Sequence, residues 1–282
     1  VWRDGGGDGD GDDDILIGGP ANAPVGGNIR DRYRFGKNFG NDYLISFYAE
    51  DLYPSNSVGT NPDGDGAKHS DRIEIVNTYA NTASDLINNS VNNDDGWAVI
   101  KAGSNSITIF GLPKEKLKPD YFHIIPEISN TITGSDGDDN LEGTNGNDYI
   151  QGSTNPLGWA SDGADTLEGK EGDDVLIGGS NFRGYGGYDE DVYIFSDNSG
   201  NDLIIGFLFD DDRYSSIYND IIQISSNING SSITSFDSVL AATSNNADGW
   251  AVIDLNDGNS VTLHGVPKSK LLSRNFRFVN SN

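Results

Sequence analysis

An internal duplication constrains this chain more than any other feature. Ile15-Leu16-Ile17-Gly18-Gly19 returns as Val175-Leu176-Ile177-Gly178-Gly179, an offset of 160 residues. At the same offset Gly26-Gly27 matches Gly186-Gly187, Asp31 matches Asp191, Tyr33 and Phe35 match Tyr193 and Phe195, and Gly40-Asn41-Asp42 matches Gly200-Asn201-Asp202. The first copy then carries about eleven extra residues around 55–64. Beyond them Asp71-Arg72-Ile73-Glu74-Ile75 pairs with Asp220-Ile221-Ile222-Gln223-Ile224, and Asp95-Gly96-Trp97 with Asp248-Gly249-Trp250. Gly111-Leu112-Pro113-Lys114 pairs with Gly265-Val266-Pro267-Lys268. A chain repeated end to end predicts two equivalent modules, 1–130 and 131–282, and 282 residues suffice for two domains.

Each copy has two physical parts. The back alternates apolar and polar residues, as in Ser106-Ile107-Thr108-Ile109-Phe110 and Ser260-Val261-Thr262-Leu263-His264, which predicts half-buried strands. Asn256-Asp257-Gly258-Asn259 reads as a hairpin turn, since Asp-Gly tolerates positive φ. A short helix capped by Ser235 is predicted over 235–242, and helical turns after Pro113 and Pro267. The front is Gly/Asp-rich, with single large apolar residues at fixed spacing. In ninefold register the second front runs Gly134-Ser135-Asp136-Gly137-Asp138-Asp139-Asn140-Leu141-Glu142, then Gly143-Thr144-Asn145-Gly146-Asn147-Asp148-Tyr149-Ile150-Gln151. After an insert at 153–161 come Asp162-Gly163-Ala164-Asp165-Thr166-Leu167-Glu168 and Gly169-Lys170-Glu171-Gly172-Asp173-Asp174-Val175-Leu176-Ile177, and a degenerate turn ends in Asp191-Val192-Tyr193-Ile194. A disordered acidic linker has no need of a large apolar residue at every eighth position; a coil that buries one per turn does.

Composition narrows the chemistry. The formal net charge of −26 argues against nucleic acid and membrane surfaces and in favour of cations. With 28 Trp, Tyr and Phe the chain has material for real cores, although its apolar share is only 35%. There is no Cys, so disulfides and thiolate metal sites are excluded, and metal ions are the remaining staple for a thin core. The longest mostly apolar stretch, 203–209, is far short of a membrane span, which predicts no membrane insertion. A start at Val1 and the absence of Met suggest a processed product or an excised fragment. His69, His123 and His264 are scattered, and neither a His-Glu-x-x-His pair nor a Gly-x-Ser-x-Gly elbow is present, so no catalytic residues are assigned and the chain is read as not an enzyme. Trp97 and Trp250 are read as core, and His264 as a packing residue in the place of Phe110.

The nonapeptides Gly-Gly-x-Gly-x-Asp-x-(large apolar)-x resemble the RTX, or haemolysin-type, calcium-binding repeats. That resemblance implies an all-β fold, with right-handed parallel β-roll segments each closed by an antiparallel capping sheet. It also implies several bound Ca²⁺ ions, each held by sixth-position aspartates of stacked turns together with turn carbonyls, an all-oxygen set suited to a hard cation. Carried over, the pairs are Asp139 with Asp165, Asp148 with Asp174, and Asp165 with Asp191. The turn glycines are Gly137, Gly146, Gly163 and Gly172, and Asp14 and Asp31 hold the equivalent places in the first copy. Asp42, Asp71, Asp202 and Asp220 suit turn capping and ion binding equally; Asp210-Asp211-Asp212 reads as a solvated loop.

The resemblance further implies an extracellular or cell-surface protein of bacterial origin, exported by type I secretion and ordered outside the cell by calcium. Three roles remain open at this point: a structural or matrix protein, with head-to-tail self-assembly; a carbohydrate-binding module that takes an extracellular polysaccharide, as in the R-modules of alginate epimerases; or the secretion and folding tail of a larger enzyme or toxin.

Overall fold

The computed structural model describes residues 6–9, 14–17, 32–47, 49, 71–153, 163–179, 190–209 and 219–280. They fall into two compact units that divide between Glu127 and Ile128. Asp31, the first copy's insert at 55–64 and Asp210-Asp211-Asp212 lie outside the described residues, as does most of the insert at 153–161.

In each unit the chain winds back and forth between two sheets. The first unit places β1 (Gly6–Gly9), β3 (Arg32–Phe35), β5 (Arg72–Val76) and β9 (Phe122–Ile125) in one sheet. The other holds β2 (Ile15–Ile17), β4 (Asn41–Ile45), β8 (Asn105–Ile109), β7 (Ala98–Ala102) and β6 (Val91–Asn92), in that order. The second unit repeats this with longer stacks. One sheet runs β10 (Asn130–Thr133), β12 (Asp148–Gln151), β14 (Val175–Ile177), β16 (Asn201–Ile204), β20 (Asn259–Leu263), β19 (Ala251–Asn256), β18 (Thr243–Asn245). The other runs β11 (Asn140–Glu142), β13 (Thr166–Glu168), β15 (Val192–Phe195), β17 (Ile221–Ser225), β21 (Phe276–Val279).

Neighbouring strands of successive coils are parallel, so the fold is a β-roll. The closing part is antiparallel only over β18, β19 and β20, and over β6, β7 and β8 in the first unit. On its other side β20 pairs in parallel with β16, as β8 does with β4, so roll and cap share continuous sheets.

The ninefold spacing sets the core. Parallel register places Leu141, Leu167, Tyr193, Ile222 and Phe276 opposite one another down one sheet. Ile132, Ile150, Leu176, Ile204 and Leu263 align down the other. These two apolar columns meet inside the second unit's core, where Ile150, Leu167, Leu176 and Ile204 are fully buried. Strands of three or four residues cannot stand alone, and it is the stacking of one such residue per half-coil that makes them persist.

The second helix, α2 (Phe236–Ala242), has the predicted Ser235 cap, whose side chain accepts from the Ser238 N–H. Its counterpart α1 (Ala83–Asn89) is closed by a Thr82/Asp85 capping box. Short 3₁₀ turns follow Pro113 and Pro267. Asn256 and Asp257 both take positive φ, 71° and 51°, as a tight hairpin between β19 and β20 requires.

Candidate metal centre

The first two nonapeptide turns each fold around their own aspartate. In the earliest turn the Ser135 N–H and hydroxyl donate to Asp139 Oδ2 at 2.6 and 2.9 Å. In the next, the Thr144 N–H and hydroxyl donate to Asp148 Oδ2 at 2.5 and 3.0 Å. A hydroxyl four residues ahead of the carboxylate thus fixes its rotamer, the same chemistry that makes Asx and Ser/Thr good turn residues.

The coils are then linked carboxylate to backbone. The Asp139 N–H donates to Asp165 Oδ1 at 2.9 Å, that of Asp148 to Asp174 at 2.7 Å, and that of Asp165 to Asp191 at 2.9 Å. All three predicted pairs are therefore adjacent, although 26 residues separate the members of each. Both ladders run on into the cap, through Asp174 N–H to Asp202 at 2.9 Å and Asp191 N–H to Asp220 at 3.2 Å. In the first unit the Asp14 N–H donates to Asp42 Oδ1 at 2.7 Å, the same step as Asp174 to Asp202.

The four predicted glycines stack in pairs, Gly137 with Gly163 and Gly146 with Gly172. Gly172 has φ of +119°, and a Cβ there would lie 2.7 Å from the Gly146 carbonyl carbon. Only a glycine turn brings the coils this close. Gly152 shows what the closeness creates: Asp165 Oδ2 and the Gly178 carbonyl oxygen both lie 1.9 Å from where its Cβ would sit. Before Gly143, the Gly169 carbonyl oxygen and Asp148 Oδ2 share one such space at 2.2 and 2.7 Å.

These cradles are lined by oxygen, and some of it is left over. Asp148 Oδ1 and Asp174 Oδ2 are buried without a hydrogen-bond partner. Burial raises the Asp174 carboxyl from its ordinary value to about 7, the Asp148 and Asp173 carboxylates add to the rise, and the Asp148 N–H opposes it. Burial likewise pushes Asp202 well above the carboxylate range, with Asp174 and Asp173 contributing. At the exposed start of the ladder the Ser135 backbone and hydroxyl donors hold Asp139 below its ordinary value. Buried carboxylates that repel one another across unsatisfied oxygens fit a divalent cation. Among the described residues no three His, Cys, Asp or Glu side chains converge on one point. The donor set is instead carboxylates in pairs with backbone carbonyls, which suits calcium better than zinc.

Asp220 accepts from the Asp191 N–H through Oδ1 and from the Leu208 N–H at 2.7 Å through Oδ2, which is the capping role. Asp71, its counterpart, is buried just ahead of β5. A second, outer ladder escaped the sequence reading. Asn147 accepts from the Asp173 N–H at 2.8 Å, Asp173 from the Asn201 N–H at 2.8 Å, and Asn201 from the Ser260 hydroxyl at 2.9 Å. Its signal was the Asp or Asn at the fifth position of the nonapeptides, masked by the stronger sixth.

The RTX calcium-binding nonapeptide repeat family matches residues 129–154 and 159–181. Those residues thus carry RTX calcium-binding nonapeptide repeats, wound here as a parallel β-roll. Among solved structures, the extracellular lipase LipA from Serratia marcescens is similar over 89% of this chain and 38% of its own, with 16% identity and a TM-score of 0.29. The chain therefore spans well under half of that lipase. Curated proteins give no match. No helix of the described residues is long and apolar enough to cross a membrane.

Proposed function

We propose that the chain is a secreted, non-catalytic calcium-binding protein of bacterial origin. Its folding is driven by the ion, and it serves outside the cell as a structural or self-assembling unit. The observation that carries this reading is the pair of buried, unsatisfied carboxylate oxygens, Asp148 Oδ1 and Asp174 Oδ2, in a ladder whose members repel one another. A chain of net charge −26 is expanded by self-repulsion, and ion binding that exists only in the folded state contributes its free energy to folding. Calcium would be held by Asp139, Asp148, Asp165, Asp174 and Asp191 with the turn carbonyls, and by Asp14 in the first unit. Its role there is charge neutralisation and cross-linking of coils.

Far-ultraviolet circular dichroism of metal-stripped protein should move from coil-like to β-rich on addition of millimolar Ca²⁺. Asp174→Ala should shift the midpoint to higher calcium. An unchanged β spectrum in the metal-free protein would overturn the coupling of folding to the ion.

A further inference from the structure

Asn stands directly before Gly at two places in the chain, Asn145-Gly146 and Asn229-Gly230. That pairing carries a reactivity of its own, because a glycine nitrogen, with no Cβ beside it, can reach the side-chain carbonyl of the preceding asparagine. The fold treats the two pairs differently. Asn229 is half-buried and both ends of its amide are held: Oδ1 accepts from the Asn198 N–H at 2.8 Å, and Nδ2 donates to the Leu255 carbonyl at 3.0 Å. Its backbone is held as well. The Asn229 N–H donates to Asp197 Oδ1 at 2.6 Å, its carbonyl accepts from Asn256 Nδ2 at 2.7 Å, and the Gly230 N–H donates to the Asn227 carbonyl at 2.9 Å. Asn145 instead sits exposed at the bend of the second nonapeptide, and its side chain makes no hydrogen bond among the described residues. The Gly146 N–H beside it has one long contact, to Thr144 Oγ1 at 3.2 Å.

We propose that Asn145 is a site of spontaneous deamidation, through which the second nonapeptide turn changes its own charge and backbone. The Gly146 nitrogen gives up its proton to solvent base and bonds to Asn145 Cγ; the Cγ–Nδ2 bond breaks, and the amide nitrogen leaves with a proton as ammonia. Water then opens the resulting succinimide. Opening at Cγ leaves an ordinary aspartyl residue, whereas opening at the main-chain carbonyl leaves an isoaspartyl one, with the chain running through Cβ and Cγ. Nothing is oxidised or reduced, and water is the sole co-reactant. The two products act differently on the coil. The third position of the other nonapeptides is already acidic, as Asp136, Asp162 and Glu171, so the aspartyl form brings the second turn into line with them. The isoaspartyl form adds a main-chain carbon between residues 145 and 146. There Gly172 stacks on Gly146 so closely that a Cβ on Gly172 would lie 2.7 Å from the Gly146 carbonyl carbon. The added carbon also disturbs the links on either side, Thr144 to Asp148 and Asn147 to Asp173. The isoaspartyl chain therefore needs more calcium to fold, a consequence that rests on the calcium-coupled folding proposed above; the reaction itself does not.

Peptide mass mapping of protein kept at mildly alkaline pH in millimolar Ca²⁺ reads the one-dalton gain at each asparagine. Breaking two side-chain hydrogen bonds before attack should slow Asn229 roughly tenfold or more relative to Asn145. Gly146→Ala should suppress the gain at residue 145. Gly146 does not take positive φ, and a Cβ there would meet side chains alone, Ser129 Oγ first at 2.9 Å, so the turn has room for it. Should that variant misfold, labelling of the unsubstituted chain by protein isoaspartate methyltransferase locates the product without any substitution. In chelator the hold on Asn229 is released and the two rates should converge; rates that stay apart there speak against calcium-coupled folding while still placing the reaction at Asn145. Residue 145 keeping its amide in calcium as long as Asn229 does, or a gain there undiminished by Gly146→Ala, would overturn the proposal. So would methyltransferase labelling that bypasses the peptide holding residue 145.

Discussion

Asp174 and Glu74 are both buried carboxylates, and their surroundings push them in opposite directions. Burial and the neighbouring carboxylates raise Asp174 to about 7 in the ion-free fold. An unfolded chain releases that proton near pH 4. The folded ion-free state therefore loses stability as pH rises from about 4 to about 7, since it binds the proton more tightly over that window. Metal-stripped protein should accordingly show more β-type far-ultraviolet ellipticity at pH 5 than at pH 8, and saturating calcium should remove the difference; β content that climbs with pH in the stripped protein contradicts this. Burial also works against ionised Glu74, but Arg32 beside it, the His123 ring with Nδ1 3.7 Å from its Oε1, and Arg34 hold its carboxyl well below the ordinary range. The Arg34 Nε donates to it at 2.8 Å. Its contribution is present above about pH 4.5 and is lost as pH falls below that. Hydrogen exchange at the β5 amides should therefore accelerate under acid, the opposite trend to the Asp174 coils.

At the scale of elements, one large residue per nonapeptide bears on stability directly. Leu167 is fully buried between Leu141 and Tyr193 in the column of one sheet. Leu167→Ala leaves a cavity that the short strands have no slack to close, and should cost about 2–5 kcal/mol. Calcium-saturated chemical denaturation would read that loss, and a change below about 1 kcal/mol would mean the coil collapses to fill the gap. The ninefold spacing made this column, the aspartate pairs and the all-β class legible, because in a coil spacing is position. Local turn chemistry was equally readable, as the Asn256-Asp257 hairpin and the Ser235 cap show. So was the interchange of His264 for Phe110, whose rings lie 4.1 and 4.3 Å from Trp250 and Trp97. Less legible was anything that depends on which coils become neighbours. Asp202 and Asp220 had the same sequence signature, yet Asp220 spends both oxygens on backbone N–H groups. The outer ladder through Asn147, Asp173 and Asn201 joins residues 26 and 28 positions apart, a spacing set by loop length and not by a motif. Helix α1 has a capping box at Thr82 and Asp85, but its seven residues are too few for a periodic pattern to stand out.

For the whole molecule the governing quantity is charge density. Eighteen Lys and Arg face 44 Asp and Glu, and the roll aligns a large part of that excess in rows. Apolar burial alone must contend with that repulsion, and salt screens it only beyond about 8–10 Å, too far to help carboxylates on adjacent coils. A divalent ion between coils acts at contact distance. Stability of the second unit should then rise with the logarithm of free calcium, by about 2.7 kcal/mol per independent site when free ion reaches a hundredfold excess over its dissociation constant. Magnesium carries the same charge but holds its waters tightly and demands a smaller octahedral shell, which a cradle of backbone carbonyls and paired aspartates does not offer. Melting temperature followed against free Ca²⁺ and free Mg²⁺ at constant ionic strength separates the two accounts. A steep calcium slope with a nearly flat magnesium one is the expected result. Equal slopes would mean that the ions merely screen the surface and that the aspartate ladders need no particular ion to stack.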